Sequence, residues 1–146
     1  MINVNVTKSI NVPAHAAWEK ISAFEGIEHF SPIVSSFVEG KGIGSKRTCY
    51  LPDNAKIIEA LNKLDNENMH LEYGILSGPF PLTDYISDVK VKSLDDNNCE
   101  VSWSSKFNTE AKSEMKSLFE GFYHAIMEGL ESLINNEAKF TPHNAI

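Results

Sequence analysis

Apolar and polar residues alternate along the start of the chain. From Ile2 to Val12 the even positions are apolar, with one exception at Lys8, and the odd positions are polar. An alternation of period two is typical of a strand that buries one face. Pro13 follows where the first turn of a helix accepts proline, and small or apolar residues then recur at helical spacing to Ile21. The pattern therefore predicts a strand followed by a short helix.

The middle of the chain has the pattern of a strand meander. A second brief helix is predicted from Gly26 to Phe30, and it ends before Pro32 because the residue preceding a proline is disfavoured in helical conformation. Beyond it, clusters of Gly, Pro, Asn and Asp separate segments of strand character, and such short links predict antiparallel neighbours. The predicted strands are Ile33–Glu39, Ser45–Leu51, Lys56–Asp65, Met69–Leu76, Thr83–Ser93 and Cys99–Phe107.

The last long segment, from Glu110 to Asn135, has the pattern of one amphipathic helix. Apolar residues recur in it at spacings of three and four, which place them on one side. This predicted stripe consists of Met115, Leu118, Phe119, Phe122, Ile126, Leu130 and Leu133. Gly121 and Gly129 lie at or beside the stripe, although a glycine inside a helix costs roughly 1 kcal/mol relative to alanine. They indicate either close packing of the helix on a partner or free space beside it.

These elements predict an α+β fold in one domain, 1–146, with a short tail at 139–146. A seven-stranded curled antiparallel sheet is expected to surround the long C-terminal helix, with two short helices after the first strand. One helix, about 10 Å across, cannot cover a broad curved sheet. The uncovered part of the sheet is therefore either filled by large side chains or left as a pocket.

Composition excludes several classes of function. A net charge of −7 disfavours binding to nucleic acid or to an anionic membrane. The sequence has no leader-like start and no apolar run of membrane-spanning length, so we expect a cytoplasmic protein without membrane insertion. Cys49 and Cys99 lie far apart without histidine-rich neighbours, which predicts two reduced thiols and no metal site. We expect no cofactor, and the chain leaves a protein partner and the oligomeric state open.

Strand alternation also assigns side chains to the two faces of the sheet. A simple hairpin around Asp53 sets Arg47 opposite Glu59 as a cross-strand ion pair. If this face is the inner one, the pair is buried, and the cost of removing both charges from water cancels much of their attraction. A buried pair therefore adds little stability, which favours a functional role for it. If the face is solvated, the pair contributes little.

The later strands present an inner face of aromatic and aliphatic side chains with isolated hydroxyls. These residues are Leu71, Tyr73, Ile75, Thr83, Tyr85, Ser87, Val89, Val91, Val101, Trp103, Ser105 and Phe107. A few polar groups within an apolar lining are typical of a small-molecule pocket. A hydrophobic core with satisfied hydroxyls has much the same pattern, so the two alternatives remain open.

The segment from Gly44 to Val91 resembles a known family. On these residues the chain resembles the polyketide cyclase/dehydrase-like branch of the START-like, Bet v 1-type superfamily (SRPBCC), whose fold is the helix-grip, and more distantly the plant abscisic acid receptors. The residues that support the resemblance are Gly44, Arg47, Glu59, Leu61, Leu64, Asp65, Gly78, Leu82, Tyr85 and Ser87.

The resemblance implies a ligand cavity with known wall positions. In the receptors, residues matching Glu59, Tyr85 and Ser87 hold ordered water against the ligand, and the residue matching Arg47 joins them. With the inner face derived above, the predicted ligand-binding residues are Arg47, Leu51, Glu59, Tyr73, Ile75, Phe80, Tyr85, Ser87, Trp103, Phe107, Phe119, Phe122 and Ile126. The entrance is expected between 51–54 and 78–82.

The chain also departs from the receptors at three places. Pro32 falls near their cavity lysine, which removes the anchor for an acidic ligand. The hairpin around Pro52-Asp53-Asn54 is shorter than their gate, and Phe80-Pro81 replaces the His-Arg pair of their latch. Hormone sensing is therefore not implied.

Three functions fit this sequence. The favoured one is binding of a small hydrophobic or aromatic molecule, or a lipid, in the cavity. The second is a cyclase or dehydratase that uses Glu59, Arg47 and Tyr85 as acid–base groups. The third is a protein-interaction domain with a vestigial cavity. The binder is favoured because no histidine is placed on the expected cavity wall. The histidines considered are His15, His29, His70, His124 and His143.

Overall fold

The computed structural model describes residues 1–139, which form seven strands and two α-helices. The strands are β1 (Ile2–Ile10), β2 (Ser35–Glu39), β3 (Lys46–Tyr50), β4 (Lys56–Asp65), β5 (His70–Ser77), β6 (Thr83–Asp95) and β7 (Asn98–Asn108). The helices are α1 (Ala14–Ser22) and α2 (Lys112–Lys139), and a single 3-10 turn, Ile27–His29, follows α1. The predicted helix-grip architecture is confirmed. Lys139 ends α2, and the rest of the predicted tail, 140–146, lies outside the described residues.

All neighbouring strands of the sheet are antiparallel, in the order β1-β7-β6-β5-β4-β3-β2. Strands β2 to β7 form the predicted meander. Strand β1 lies at the far edge beside β7, so α1 and the 3-10 turn lead the chain from one edge of the sheet to the other. Helix α2 packs against β1 and α1. Within residues 1–139, neither helix is both long enough and apolar enough to cross a membrane.

The short helix α1 begins and packs as its sequence predicts. Pro13 has extended backbone angles (φ −62°, ψ 145°) and directly precedes the first helical residue, and its carbonyl accepts hydrogen bonds from the first turn. Ala17, Trp18 and Ile21 are buried. The Trp18 Nε1 donates to Asn66 Oδ1 at 3.0 Å, so the indole is held from the β4–β5 turn.

The buried stripe of α2 differs from the predicted stripe in part. Leu118 was predicted on the buried side but is 44% exposed, and Phe122 and Leu133 are only half-buried. Tyr123 and Met127 take the buried positions instead, at 1% and 0% exposure. A spacing count that favours leucine and phenylalanine overlooks them. The buried stripe of α2 consists of Met115, Phe119, Tyr123, Ile126, Met127 and Leu130.

The two glycines of α2 realise both of the predicted alternatives. A Cβ atom at Gly129 would lie 2.4 Å from the carbonyl oxygen of Phe30 and 2.8 Å from its carbonyl carbon, so the helix touches backbone there. A Cβ atom at Gly121 would meet no atom within 4 Å. Helix α2 is therefore tightly seated towards its C-terminal end and has open space beside it two turns earlier.

One inner-face prediction on β6 is wrong. Thr83 was expected to face inward with Tyr85, but it is exposed. Asp84, between them, has a positive φ of 56°, and the pairing of β6 with β7 shifts between Thr83 and Ile86. The strand therefore loses its alternation at its first residues and regains it at Tyr85.

The two α2 glycines allow a matched test of how closely α2 packs at each position. Alanine ordinarily stabilises a helix interior by about 1 kcal/mol relative to glycine. We expect Gly121→Ala to raise the free energy of unfolding by up to about 1 kcal/mol, and Gly129→Ala to lower it by about 1–3 kcal/mol because its methyl group must displace the Phe30 backbone. Urea unfolding curves of both variants measure this difference. Equal effects at the two positions would contradict the seating.

Candidate functional site

A cavity of about 490 Å³ lies between the sheet and the N-terminal half of α2. Strands β4, β5 and β6 supply its floor, α2 covers it from above, and the segments that precede β2, follow β3 and precede β6 close its sides. The lining residues are Ile27, Pro32, Ile33, Leu51, Ile57, Glu59, Tyr73, Ile75, Phe80, Tyr85, Ser117, Leu118, Phe119, Gly121, Phe122 and Tyr123.

Aromatic rings make up much of the cavity wall. The ring centroid of Phe119 on α2 lies 5.4 Å from that of Phe80 and 5.2 Å from that of Tyr85. These distances are typical of packed aromatic pairs. The rings join the helix to the sheet at one side of the cavity, so the space that remains is bounded by side chains that hold one another in place.

The hairpin between β3 and β4 has the predicted register and faces inward. Arg47 lies opposite Glu59, and both are buried, at 4% and 8% exposure. The Arg47 Nε donates to Glu59 Oε1 at 2.7 Å. Its Nη1 donates to the Phe24 carbonyl at 3.0 Å, and the guanidinium lies over the Phe24 ring at 4.0 Å from the centroid. Glu59 lines the cavity, while Arg47 does not and lies behind the wall.

The electrostatics of the ion pair follow from its burial. Burial is the largest single effect and disfavours the charged guanidinium. The charge of Glu59, smaller interactions with Cys49 and Tyr73 and the hydrogen bond to Glu59 together outweigh burial, so the pKa of Arg47 is raised. Burial and the same carboxylate raise the pKa of the Cys49 thiol, which donates to Glu59 Oε1 at 3.5 Å. The predicted reduced thiols, Cys49 and Cys99, are both buried and free. The pair is thus a charged but internally neutralised element of the wall.

Three hydroxyls form a buried chain next to the cavity. Tyr123 Oη donates to Ser105 Oγ at 2.7 Å, and the hydroxyls of Tyr85 and Tyr123 are hydrogen-bonded to each other. Burial is the main cause that raises the pKa of both tyrosines. Both phenols therefore stay protonated at neutral pH and are weak proton donors.

Tyr73 connects the cavity wall to the core behind it. Its hydroxyl accepts a hydrogen bond from Trp103 Nε1 at 3.0 Å, and its ring lies 6.3 Å from that of Tyr85. Burial, with a smaller effect of the Glu59 charge, raises the pKa of Tyr73 to about 12. Tyr73 thus presents its ring to the cavity and its hydroxyl to the core.

Most of the residues predicted from the sequence to bind a ligand line this cavity. They are Leu51, Glu59, Tyr73, Ile75, Phe80, Tyr85, Phe119 and Phe122. The others lie behind the wall and not on it, namely Arg47, Ser87, Trp103, Phe107 and Ile126. Each is covered by a wall residue or by the core. Phe107, for example, stacks on the Tyr85 ring at 5.6 Å, and Ser87 donates to the Ser104 carbonyl at 2.9 Å.

The cavity also includes residues that the sequence prediction missed. Ile57 shares a strand face with Glu59, and Tyr123 follows Phe119 by one helical turn, so alternation and helical spacing could have found both. The residues from the loop before β2 have no comparable signal in the sequence. Leu118 did belong to the predicted stripe of α2, and Gly121 did indicate possible free space, but neither was assigned to the cavity. The missed residues are Ile27, Pro32, Ile33, Ile57, Ser117, Leu118, Gly121 and Tyr123.

Metal-ligand groups and histidines are not part of the described cavity wall. Across residues 1–139, no three His, Cys, Asp or Glu side chains are grouped so that they could hold a metal ion. None of the described histidines lines the cavity. His70 lies outside it and forms a hydrogen bond of 2.7 Å with Asp88, and His124 is exposed on α2.

Two solved structures of bacterial proteins share this fold. The chain is similar to the Bacillus cereus protein XoxI, with 27% identity, a TM-score of 0.84, and coverage of 94% of this chain and 99% of that one. An uncharacterised Bacillus thuringiensis protein has 27% identity and a TM-score of 0.83, with coverage of 91% and 98%. No curated protein sequence matches the chain.

A more distant structure shares the fold alone. Norcoclaurine synthase from Thalictrum flavum, a point mutant in complex with a transition-state analogue, is 13% identical, with a TM-score of 0.76 and coverage of 94% of this chain and 96% of that one.

The sequence profile of the family described as polyketide cyclase/dehydrase and lipid transport matches residues 1–135. Because this match spans nearly the whole chain, the protein belongs to the polyketide cyclase/dehydrase and lipid transport family.

Proposed function

We propose that this protein binds a small, largely apolar molecule in the cavity between the sheet and α2. The observation that supports the proposal most directly is the size and lining of that cavity. Its volume of about 490 Å³ lies within the range typical of small-molecule sites, and apolar and aromatic side chains form most of its wall.

The shape of α2 supports the proposal from a second direction. A plain core would have brought the helix into contact with the sheet along its whole length. Here Gly121 lines the cavity and has open space where a Cβ would stand, and Leu118, at 44% exposure, lies at the rim. Exposed apolar surface at the mouth of a pocket is typical of a site that an apolar ligand enters.

Catalysis of a cyclase or dehydratase type receives less support from the same groups. General acid–base catalysis is most effective when the pKa of the group lies near the working pH. The pKa values of Tyr85 and Tyr123 are raised by burial, away from neutrality. Glu59 is engaged by Arg47 at 2.7 Å. These residues are better placed to hold a ligand than to exchange protons with it.

A variant that fills the cavity tests the proposed site. We expect Ile75→Trp to lower the affinity for the neutral fluorescent probe N-phenylnaphthylamine by about tenfold or more, because the added ring occupies the space that the probe needs. The matched control is Leu76→Trp on the next residue of β5, which is 57% exposed. Fluorescence titration measures both affinities, and circular dichroism checks that both variants are folded.

The smaller substitution Ile75→Phe should give an intermediate loss of probe affinity. Unchanged binding in both Ile75 variants would place the probe elsewhere and contradict the proposed site. Native mass spectrometry of the purified protein separates the alternatives further, because conversion of a bound compound would favour an enzyme. If none of the apolar compounds binds, the result would favour a vestigial cavity.

A double-mutant cycle tests whether the buried ion pair is needed for the fold. We expect Arg47→Met or Glu59→Leu alone to lower the free energy of unfolding by about 3 kcal/mol or more, because each leaves a buried charge without its partner. The double variant should recover most of that loss. Urea unfolding of the four proteins measures the cycle. A double variant as unstable as the worse single variant would make the pair a structural requirement.

A further inference from the structure

We infer that the ligand presents an uncharged hydrogen-bond donor, an alcohol or phenol hydroxyl, to Glu59 and Tyr85. This inference rests on the proposed binding function and adds to it the chemical class of the ligand's polar group. It follows from which polar side chains of the cavity wall can donate a hydrogen bond and which can only accept one.

The buried hydroxyl chain leaves Tyr85 without a free proton. A tyrosine hydroxyl has one proton to donate. The proton of Tyr123 is used in the bond to Ser105 Oγ at 2.7 Å. The hydrogen bond between Tyr85 and Tyr123 must therefore use the proton of Tyr85. Tyr85 lines the cavity, and its hydroxyl oxygen is left with accepting capacity only.

Glu59 is also an acceptor towards the cavity. Its partners Arg47 and Cys49 both donate to Oε1, at 2.7 Å and 3.5 Å. Oε1 thus accepts from both partners, and Oε2 adds further accepting capacity on a residue that lines the cavity. A ligand group that meets either Glu59 or Tyr85 thus finds an acceptor.

The other polar side chains of the wall do not change this account. The hydroxyl of Tyr73 accepts a hydrogen bond from Trp103 Nε1 at 3.0 Å and faces the core. Ser117 lies on the exposed side of α2, where water is available to it. The guanidinium of Arg47 does not line the cavity, since the rings of Phe24 and Tyr73 cover it at 4.0 Å and 5.3 Å from their centroids.

The charges at the site further restrict which polar group the ligand can present. The Arg47–Glu59 pair is neutral as a unit, and both partners are buried. A ligand carboxylate would bring a negative charge against two acceptors, and a ligand ammonium would leave a net positive charge in an apolar cavity. Each arrangement buries an uncompensated charge, which is strongly unfavourable. A neutral hydroxyl avoids both penalties and can donate to either acceptor.

A panel of ligands with one ring system and different polar groups tests the inference. The compounds are naphthol, its methyl ether, unsubstituted naphthalene, naphthoate and naphthylmethylammonium, all substituted at the same ring position. Displacement of N-phenylnaphthylamine from the full-length protein measures each dissociation constant. We expect naphthol to bind about tenfold more tightly than the methyl ether or naphthalene, and both charged compounds to bind more weakly than naphthalene.

Removal of one acceptor assigns the preference to its residues. We expect Tyr85→Phe, which keeps the ring, to lower naphthol affinity about fivefold and to change naphthalene affinity less than twofold. The matched control is Tyr50→Phe, since Tyr50 is half-buried on β3 and does not line the cavity. It should leave the whole panel unchanged.

The outcomes separate this inference from the function on which it rests. Equal binding of naphthol and its methyl ether, or tighter binding of either charged compound, would overturn the inference while the binding function stands. A naphthol preference that survives Tyr85→Phe and Glu59→Gln would also overturn it. If neither the panel nor N-phenylnaphthylamine binds, the proposed function itself fails.

Discussion

The contact between Gly129 and the Phe30 carbonyl determines how much of the sheet α2 can cover. Backbone meets backbone at this point, and no side chain separates the helix from the turn that precedes β2. The helix cannot move closer there, and its stripe from Tyr123 to Leu130 is fully buried. Towards its N-terminal end the same helix passes over the curled sheet, and Gly121 faces open space there. The cavity is the volume that this geometry leaves uncovered.

The sequence predicts the fold well because most of its signals are local. Alternation along β4 and the turn at Asp53 predict the register that places Arg47 opposite Glu59, and the structure confirms it. The prediction fails where a single backbone angle decides the outcome. At Asp84 the positive φ interrupts the alternation and Thr83 is exposed, and no pattern in the sequence predicts that backbone angle. Helical spacing identifies α2, but it cannot tell that Leu118 lies at the rim of a cavity.

The candidate site was harder to predict for a related reason. Alternation distinguishes inner from outer faces, but it does not tell a residue on a cavity wall from one behind it. Trp103 and Phe107 face inward as predicted, yet Tyr73 and Tyr85 stand between them and the cavity. Tyr123 was absent from the predicted stripe. Its ring is nevertheless buried, because its hydroxyl forms hydrogen bonds with those of Tyr85 and Ser105. Such partners become visible only when distant strands and the helix are assembled.

The hydrogen bond between Trp103 and Tyr73 has a practical consequence. The indole lies directly behind a phenol ring of the cavity wall, whereas Trp18, which is bonded to Asn66, belongs to the packing of α1. One phenol ring therefore separates Trp103 from the cavity, while Trp18 has no such link to it. Of the two tryptophans, Trp103 is the one whose ultraviolet emission is expected to respond to a molecule in the cavity, without any added label.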